Sequence, residues 1–259
     1  MGFVLITGAT GGLGKEFCRQ LIKTDDLFLT GRNYDKLLEL KNQLQQENPD
    51  KNIQIYSADL TDFQQRENMF AYFDSKCIKF SGLINVAGVD TQKEFLNYTH
   101  EKIVFQIRVN LESTLAITYA VLKRREEDLK ILTVSSICGT VPMPYFAIYS
   151  ATKASLINFF DSLRVEVKDA KITTLIPGSI PTREDIKNDI KVQGWTGKAS
   201  SKPPEFVVRK GLKALDKNRR ICVPGAFNKF VYFIEKITPR KIRNAFIAKK
   251  WKNKEKDAF

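Results

Sequence analysis

Tyr149 and Lys153 stand four residues apart in Ala147-Ile148-Tyr149-Ser150-Ala151-Thr152-Lys153, a segment of helical composition. That interval on a helix puts two side chains on one face, one turn apart, so the phenol and the ammonium can act together. The chemistry such a pair suits is proton transfer. A phenol with a pKa of about 10 is a poor shuttle at neutral pH, and a nearby ammonium favours phenolate, each unit of lowering being worth about 1.4 kcal/mol. Ser136 lies thirteen residues before Tyr149, just past the apolar run 131–134. It is expected at the carboxyl end of a strand, where open α/β sheets bind ligands, with its hydroxyl able to hold a substrate oxygen. Taken singly, each residue also has a structural reading: Tyr149 as a half-buried helix residue, Lys153 as a surface charge, Ser136 as a turn or cap.

A second candidate is the glycine-rich run Thr7-Gly8-Ala9-Thr10-Gly11-Gly12-Leu13-Gly14, between the first apolar run and the first helical stretch. Glycines there let backbone amides approach a pyrophosphate at the positive end of a helix. The spacing is G-x-x-x-G-x-G and not the G-x-G-x-x-G fingerprint, and tight strand–helix packing is the alternative explanation. The second run ends Leu29-Thr30-Gly31-Arg32-Asn33, with no acid where a carboxylate would hold a ribose diol. Arg32 stands there instead and suits a 2′-phosphate, so NADP(H) is expected over NAD(H). An ordinary solvated arginine is the competing reading.

These groups need elements to position them. Apolar runs at 3–7, 27–30, 53–56, 83–86, 131–134, 172–176 and 220–223 alternate with helical stretches at 12–23, 34–47, 62–76, 101–123 and 147–167. Strands alternating with helices imply an α/β fold with a parallel sheet. The first six runs are apolar almost throughout, as strands are when helices cover both sheet faces. Residues 183–204, rich in Lys, Ser and Gly, are the least regular interior stretch and a candidate mobile lid.

Together the motifs make the chain resemble the short-chain dehydrogenase/reductase family over nearly its whole length. The glycine loop matches that family's T-G-x-x-x-G-x-G at Thr7, Gly8, Gly12 and Gly14; Asn85-Val86-Ala87-Gly88 matches its N-[NV]-A-G element; and Pro177-Gly178-Ser179-Ile180-Pro181-Thr182 matches P-G-x-x-x-T. The resemblance implies a Rossmann-like, doubly wound, seven-stranded parallel sheet in a single domain, residues 1–225; the charge and spacing of residues 226–259 make them a basic, partly amphipathic helical extension. It implies a cofactor site formed by Gly8, Thr10, Gly11, Gly12, Leu13, Gly14, Arg32, Asp59, Leu60, Asn85, Ala87, Gly88, Tyr149, Lys153, Pro177, Gly178, Ile180 and Thr182, with Asp59 at the adenine and Ile180 and Thr182 at the carboxamide. It assigns Ser136, Tyr149, Lys153 and Asn110 to catalysis, Asn110 by supporting a proton-relay water. The activity it implies is NADP(H)-dependent interconversion of a carbonyl and an alcohol. In it Tyr149 protonates the carbonyl oxygen, Ser136 positions that oxygen, and Lys153 tunes the tyrosine and binds the nicotinamide ribose. It also implies a homodimer or homotetramer assembled through the long helices that begin at Glu101 and Ala147. The alternative is an NADP(H)-binding regulatory or scaffold protein without turnover.

Composition narrows the remainder. The 259 residues are 43% hydrophobic, enough for one sizeable core. His100 is the only histidine and the four cysteines lack C-x-x-C spacing, so no metal site is expected and the thiols are read as reduced. No secretory leader precedes the run at Phe3 and no eighteen-residue apolar stretch follows, so a cytoplasmic protein is expected. The segment Val141-Pro142-Met143-Pro144-Tyr145-Phe146, between Ser136 and Tyr149, suggests an apolar or lipid-like substrate portion, with packing at the lid base or a subunit contact as the alternative.

The net charge of +13 is concentrated at the end, where residues 229–259 hold ten Lys/Arg against three acids. Phe227, Phe230, Val231 and Ile234 follow helical spacing before Pro239. Beyond it, Ile242, Phe246, Ile247 and Trp251 interleave with Arg240, Lys241, Arg243, Lys249, Lys250, Lys252 and Lys254. The mixture is compatible with peripheral association at a membrane surface. A helix over the substrate entrance, a contact with a sister subunit and a solvated basic end are the other readings. Nucleic acid is not expected, because no recognised reading module accompanies the charge.

Overall fold

The computed structural model describes residues 2–252. Strands β1 (Phe3–Thr7), β2 (Leu27–Gly31), β3 (Ile53–Ser57), β4 (Phe80–Asn85), β5 (Arg125–Val134), β6 (Lys171–Leu175) and β7 (Ile221–Cys222) form one parallel sheet in the order β3-β2-β1-β4-β5-β6-β7. The chain turns back between β1 and β4, and that reversal opens a crevice at the strands' carboxyl ends. The fold is Rossmann-like and doubly wound, as the family resemblance implied.

Side chains leave a strand on alternate faces, and β1 supplies both halves of the core. Val4 and Ile6 pack with residues of α1 (Gly12–Leu21), α2 (Tyr34–Glu47) and α9 (Pro204–Asp216). Phe3 and Leu5 face α3 (Phe63–Ser75), α5 (Ser113–Leu122) and α6 (Ala147–Glu166). On that second face Phe73 meets Phe28 and Phe80 edge-on at 5.1 and 5.0 Å. Such pairs contribute about 0.5–1.5 kcal/mol each beyond burial.

Three expectations need correction. The stretch 101–123 is not one helix: α4 (His100–Ile107) passes through a π-helical turn, Arg108–Glu112, before α5. The turn contains Asn110, whose side-chain amide is held by backbone outside the helix, and wide turns of this kind recur at functional sites. Residues 183–204 are not irregular, since they contain α7 (Glu184–Val192) and α8 (Gly194–Ser200). Glu184 and Asp185 in the first turn of α7 and Lys191 in its last complement the helix dipole, and Gly194 at φ +61° turns the chain into α8. The fifth strand is ten residues long because its polar start, Arg125, pairs with Phe80 and bonds Asp169.

The basic end forms α10 (Ala226–Ile237) and α11 (Arg240–Trp251). Lys254 lies outside the described residues. Among those described, no helix is long and apolar enough to cross a membrane.

Candidate active site

The crevice beside β1 is a cleft of about 330 Å³. Gly8, Thr10, Gly11, Gly12, Leu13 and Gly14 line one side of it. Gly8 sits at φ +63°, and a Cβ on Gly14 would fall 2.1 Å from the Gly8 carbonyl oxygen, so neither position tolerates a side chain without movement. Helix α1 starts at this loop with neither a side-chain cap nor an acid in its first turn. Its free N–H groups and positive dipole end form the cradle an anionic pyrophosphate requires. The loop is held to β4 by Thr7, whose Oγ1 accepts from the backbone N–H of Val86 and Ala87 at 3.1 and 3.2 Å.

Arg32, Asp59 and Leu60 line the same cleft, together with Ala87, Gly88 and Thr182. Arg32 is exposed, with its guanidinium 5.9 Å from the centre of the Phe105 ring. Asp59 accepts from both the N–H and the hydroxyl of Thr61 at 2.9 and 2.8 Å, which fixes the turn after β3. A dinucleotide fits this set: a basic side chain at one end, the uncapped helix in the middle and backbone glycine at Gly88.

Other expected residues lie elsewhere. Asn85 is not at the cleft surface; it is buried, with its Nδ2 donating to Thr118 and Thr133 Oγ1 at 3.3 and 3.2 Å. Pro177 and Gly178 are also away from its lining: the Pro177 carbonyl accepts from Ile137 N–H at 3.0 Å, and Gly178 is pressed against Ser200 and Asn228. Ile180 packs on the core, and its carbonyl accepts from Thr182 N–H at 2.8 Å. Thr182 is thereby set directly against Gly12.

Next to this cleft stand the four proposed catalytic side chains. A Cβ on Gly88 would meet Asn110 Oδ1 at 3.1 Å and Lys153 Nζ at 3.3 Å, so both reach the cleft wall from behind. Asn110 is fully buried; its Oδ1 accepts from Val89 N–H at 2.7 Å, and its Nδ2 donates to the Val89 carbonyl at 2.9 Å and to Thr152 Oγ1 at 3.2 Å. The side chain is committed to holding the loop after β4. Lys153 Nζ donates to the Val134 carbonyl at 3.0 Å and lies 5.8 Å from the centre of the Tyr149 ring. Ser136 acts on the Tyr149 hydroxyl electrostatically, and its Oγ accepts from Cys138 N–H at 3.1 Å.

The electrostatics reverse one sequence expectation. Protein packed around the Tyr149 hydroxyl raises its pKa, Cys138 and Asp90 add to the rise, and the Ser136 hydroxyl and Arg183 oppose it. The phenol is held protonated. Burial also pushes Lys153 down to about 8, against the pull of Asp90. Burial likewise raises Cys138 to about 11, so its thiol stays neutral.

Several supports had no signal in the sequence. Ser135 Oγ donates to the Lys153 carbonyl at 2.9 Å, which ties α6 to the end of β5. Gly139 lies so close to Lys153 that a Cβ would stand 2.7 Å from the lysine carbonyl carbon. Arg183 bridges Asp90 at 2.9 Å and Asp185 at 3.1 Å, pinning the start of α7 over the cleft. The apolar segment after Ser136 is covered by α11: Val141, Met143, Phe146 and Ile247 form a cluster with Cys138, Tyr149 and Trp251. Trp251 meets Phe146 edge-on at 5.2 Å.

Comparison with known proteins agrees with this geometry. The pattern of the short chain dehydrogenase family matches residues 2–191. The chain is 32% identical over 183 residues to "11-beta-hydroxysteroid dehydrogenase-like 3" of Arabidopsis thaliana, covering 69% of this chain and 59% of that protein. It is 30% identical over 181 residues to the "Very-long-chain 3-oxoacyl-CoA reductase" of Laccaria bicolor, covering 66% of this chain and 52% of that one. The chain thus spans little more than half the length of these two relatives. Among solved structures, a short-chain dehydrogenase from Sphingobium yanoikuyae in complex with NADPH superposes with a TM-score of 0.78 at 21% identity, covering 100% of both chains. With a matched family pattern over most of its length, an uncapped phosphate cradle at Gly8–Gly14 and a half-buried tyrosine set over a lysine, the chain belongs to the short-chain dehydrogenase family of oxidoreductases.

Proposed function

We propose that the protein is an NADP(H)-dependent oxidoreductase that reduces the carbonyl of an apolar or lipid-like substrate to an alcohol. The observation that carries this reading is the placement of Lys153, whose Nζ lies 5.8 Å from the centre of the Tyr149 ring and adjoins Gly88 at the wall of the phosphate cleft. A nicotinamide cofactor held in that cleft supplies hydride. Ser136 holds the substrate oxygen, and Tyr149, kept protonated by burial, donates its proton to that oxygen as charge develops there. Lys153 stands beneath the ring with its amine close to the cleft wall, where it can bind a ribose hydroxyl. Asn110 positions the loop after β4 through Val89.

NADP(H) over NAD(H) is favoured by Arg32 in the cleft lining and by the absence of an acid in the Leu29–Asn33 turn. An apolar substrate is favoured by the cluster of Val141, Met143, Phe146 and Ile247 beside Tyr149. The names of the plant and fungal relatives, a steroid and a long acyl chain respectively, point the same way. Exposed Tyr119 on α5 and Val165 on α6 offer the surface for the expected homo-oligomer.

The test is NADPH oxidation by the purified chain against steroid, sugar, short-ketone and long-chain acyl carbonyls. Turnover on an apolar carbonyl, reduced by about a hundredfold or more in Tyr149→Phe with NADPH binding intact, is expected. Silence across the panel despite tight NADPH binding would replace this reading with a regulatory role.

A further inference from the structure

Helix α11 has two different faces. Ile247 and Trp251 point inward onto the Phe146 cluster beside Tyr149. Ile242 and Phe246, one turn apart, point outward. Helix α10 repeats the arrangement: Asn228 is buried and bonds the carbonyls of Ser200 and Pro224, while Phe230, Phe233 and Ile237 face out. These five outward apolar side chains are between 60% and 69% exposed. On the neighbouring helix α8, Trp195 is 73% exposed and meets Phe227 of α10 edge-on at 5.5 Å, which extends the apolar surface.

The charge around this surface selects its partner. Residues 226–252 contain eight Lys/Arg and one acid. The acid, Glu235, is turned inward and accepts from Thr140 Oγ1 at 2.7 Å. Lys229 and Lys236 fall beside the apolar stripe of α10, and Lys241, Lys249 and Lys252 are exposed along α11. Long cationic side chains flanking a row of phenylalanine and isoleucine suit a bilayer interface: the stems lie along acyl chains and the ammonium groups reach anionic headgroups. A second copy of this chain would set like charge against like charge across the contact, which disfavours self-association through this face.

We propose that α10, α11 and Trp195 form a docking surface for an anionic lipid bilayer. Docking puts the membrane on the outer face of the helix whose inner face walls the Tyr149 cluster. If the proposed reductase activity holds, carbonyl compounds dissolved in that bilayer are the substrates within reach.

The experiment uses the full chain with vesicles of phosphatidylcholine alone or mixed with phosphatidylserine. Wild type is expected to co-sediment with the mixed vesicles, with binding falling as salt screens the charge. Replacing the outward residues, as Phe230→Ser/Phe233→Ser/Ile237→Ser or as Ile242→Ser/Phe246→Ser, should weaken binding by about tenfold or more while NADPH affinity is unchanged. Orientation is read from the chain's two tryptophans. With brominated lipid, Trp195 in a Trp251→Phe protein is quenched, and Trp251 in a Trp195→Phe protein is shielded. Negligible wild-type binding to both vesicle types, full binding by both sets of serine variants, or stronger quenching of Trp251 than of Trp195 overturns the proposal. So does self-association that the serine variants abolish without any vesicle binding. None of these readouts needs turnover, so an inactive protein would count against the proposed function and not against the docking surface.

Discussion

Lys153→Met offers a quantitative test of the site's electrostatics. The lysine is 4% exposed, and burial brings its amine from 10.5 down to about 8. The folded state therefore binds this proton less tightly than the unfolded chain does. Below about pH 8 both states carry the proton and the folded state bears the full penalty of a poorly solvated ammonium, about 3 kcal/mol for this displacement. Between about pH 8 and 10.5 the unfolded chain holds more protons, so stability rises with pH and the penalty disappears. Methionine keeps the length of the side chain and removes the charge. It also removes the hydrogen bond to the Val134 carbonyl, a loss of about 1 kcal/mol that does not vary with pH. The stability of wild type minus that of Lys153→Met should rise by about 2–3 kcal/mol from about pH 7 to about pH 10, whatever its absolute value. Urea denaturation followed by circular dichroism at several pH values measures it, and titrations common to both proteins cancel. Two parallel stability curves, within about 0.5 kcal/mol across the range, would refute the claim that Lys153 is held in a poorly solvated site.

Two further outcomes follow from the cleft. Gly14→Ala places a methyl group 2.1 Å from the Gly8 carbonyl, so the loop must shift; a loss of about 1–3 kcal/mol in stability and about tenfold or more in NADPH affinity is expected from thermal melts and fluorescence titration. Arg32→Ala should weaken NADPH binding by about tenfold or more while leaving NADH within about twofold, because only the former offers a phosphate for a charge-assisted bond. Equal effects on the two cofactors, measured by the same titration, would remove Arg32 from the discrimination.

Some of the site is visible in the chain because it is local. Gly8 to Gly14 lie on one turn between one strand and one helix, and Tyr149 and Lys153 are one helical turn apart, so spacing alone relates them. The order of strands and helices is legible for a similar reason: strands covered on both faces must be apolar throughout. Asn85 shows the limit. Its neighbours Ala87 and Gly88 reach the cleft, but its own side chain emerges one strand step earlier and points into the helix layer against Thr118. Residues 183–204 misled because their polar composition reflects an exposed position, which surface helices share with loops.

By itself, then, the sequence determined the α/β architecture, the phosphate loop and the tyrosine–lysine pair, each written in contacts a few residues long. Tertiary structure alone decided the direction of the Tyr149 shift, the Arg183–Asp90 pin across 93 positions and the return of Trp251 onto Phe146. The physical reason is that desolvation and packing are summed over every neighbour in space, and those neighbours come from segments whose proximity no local pattern encodes.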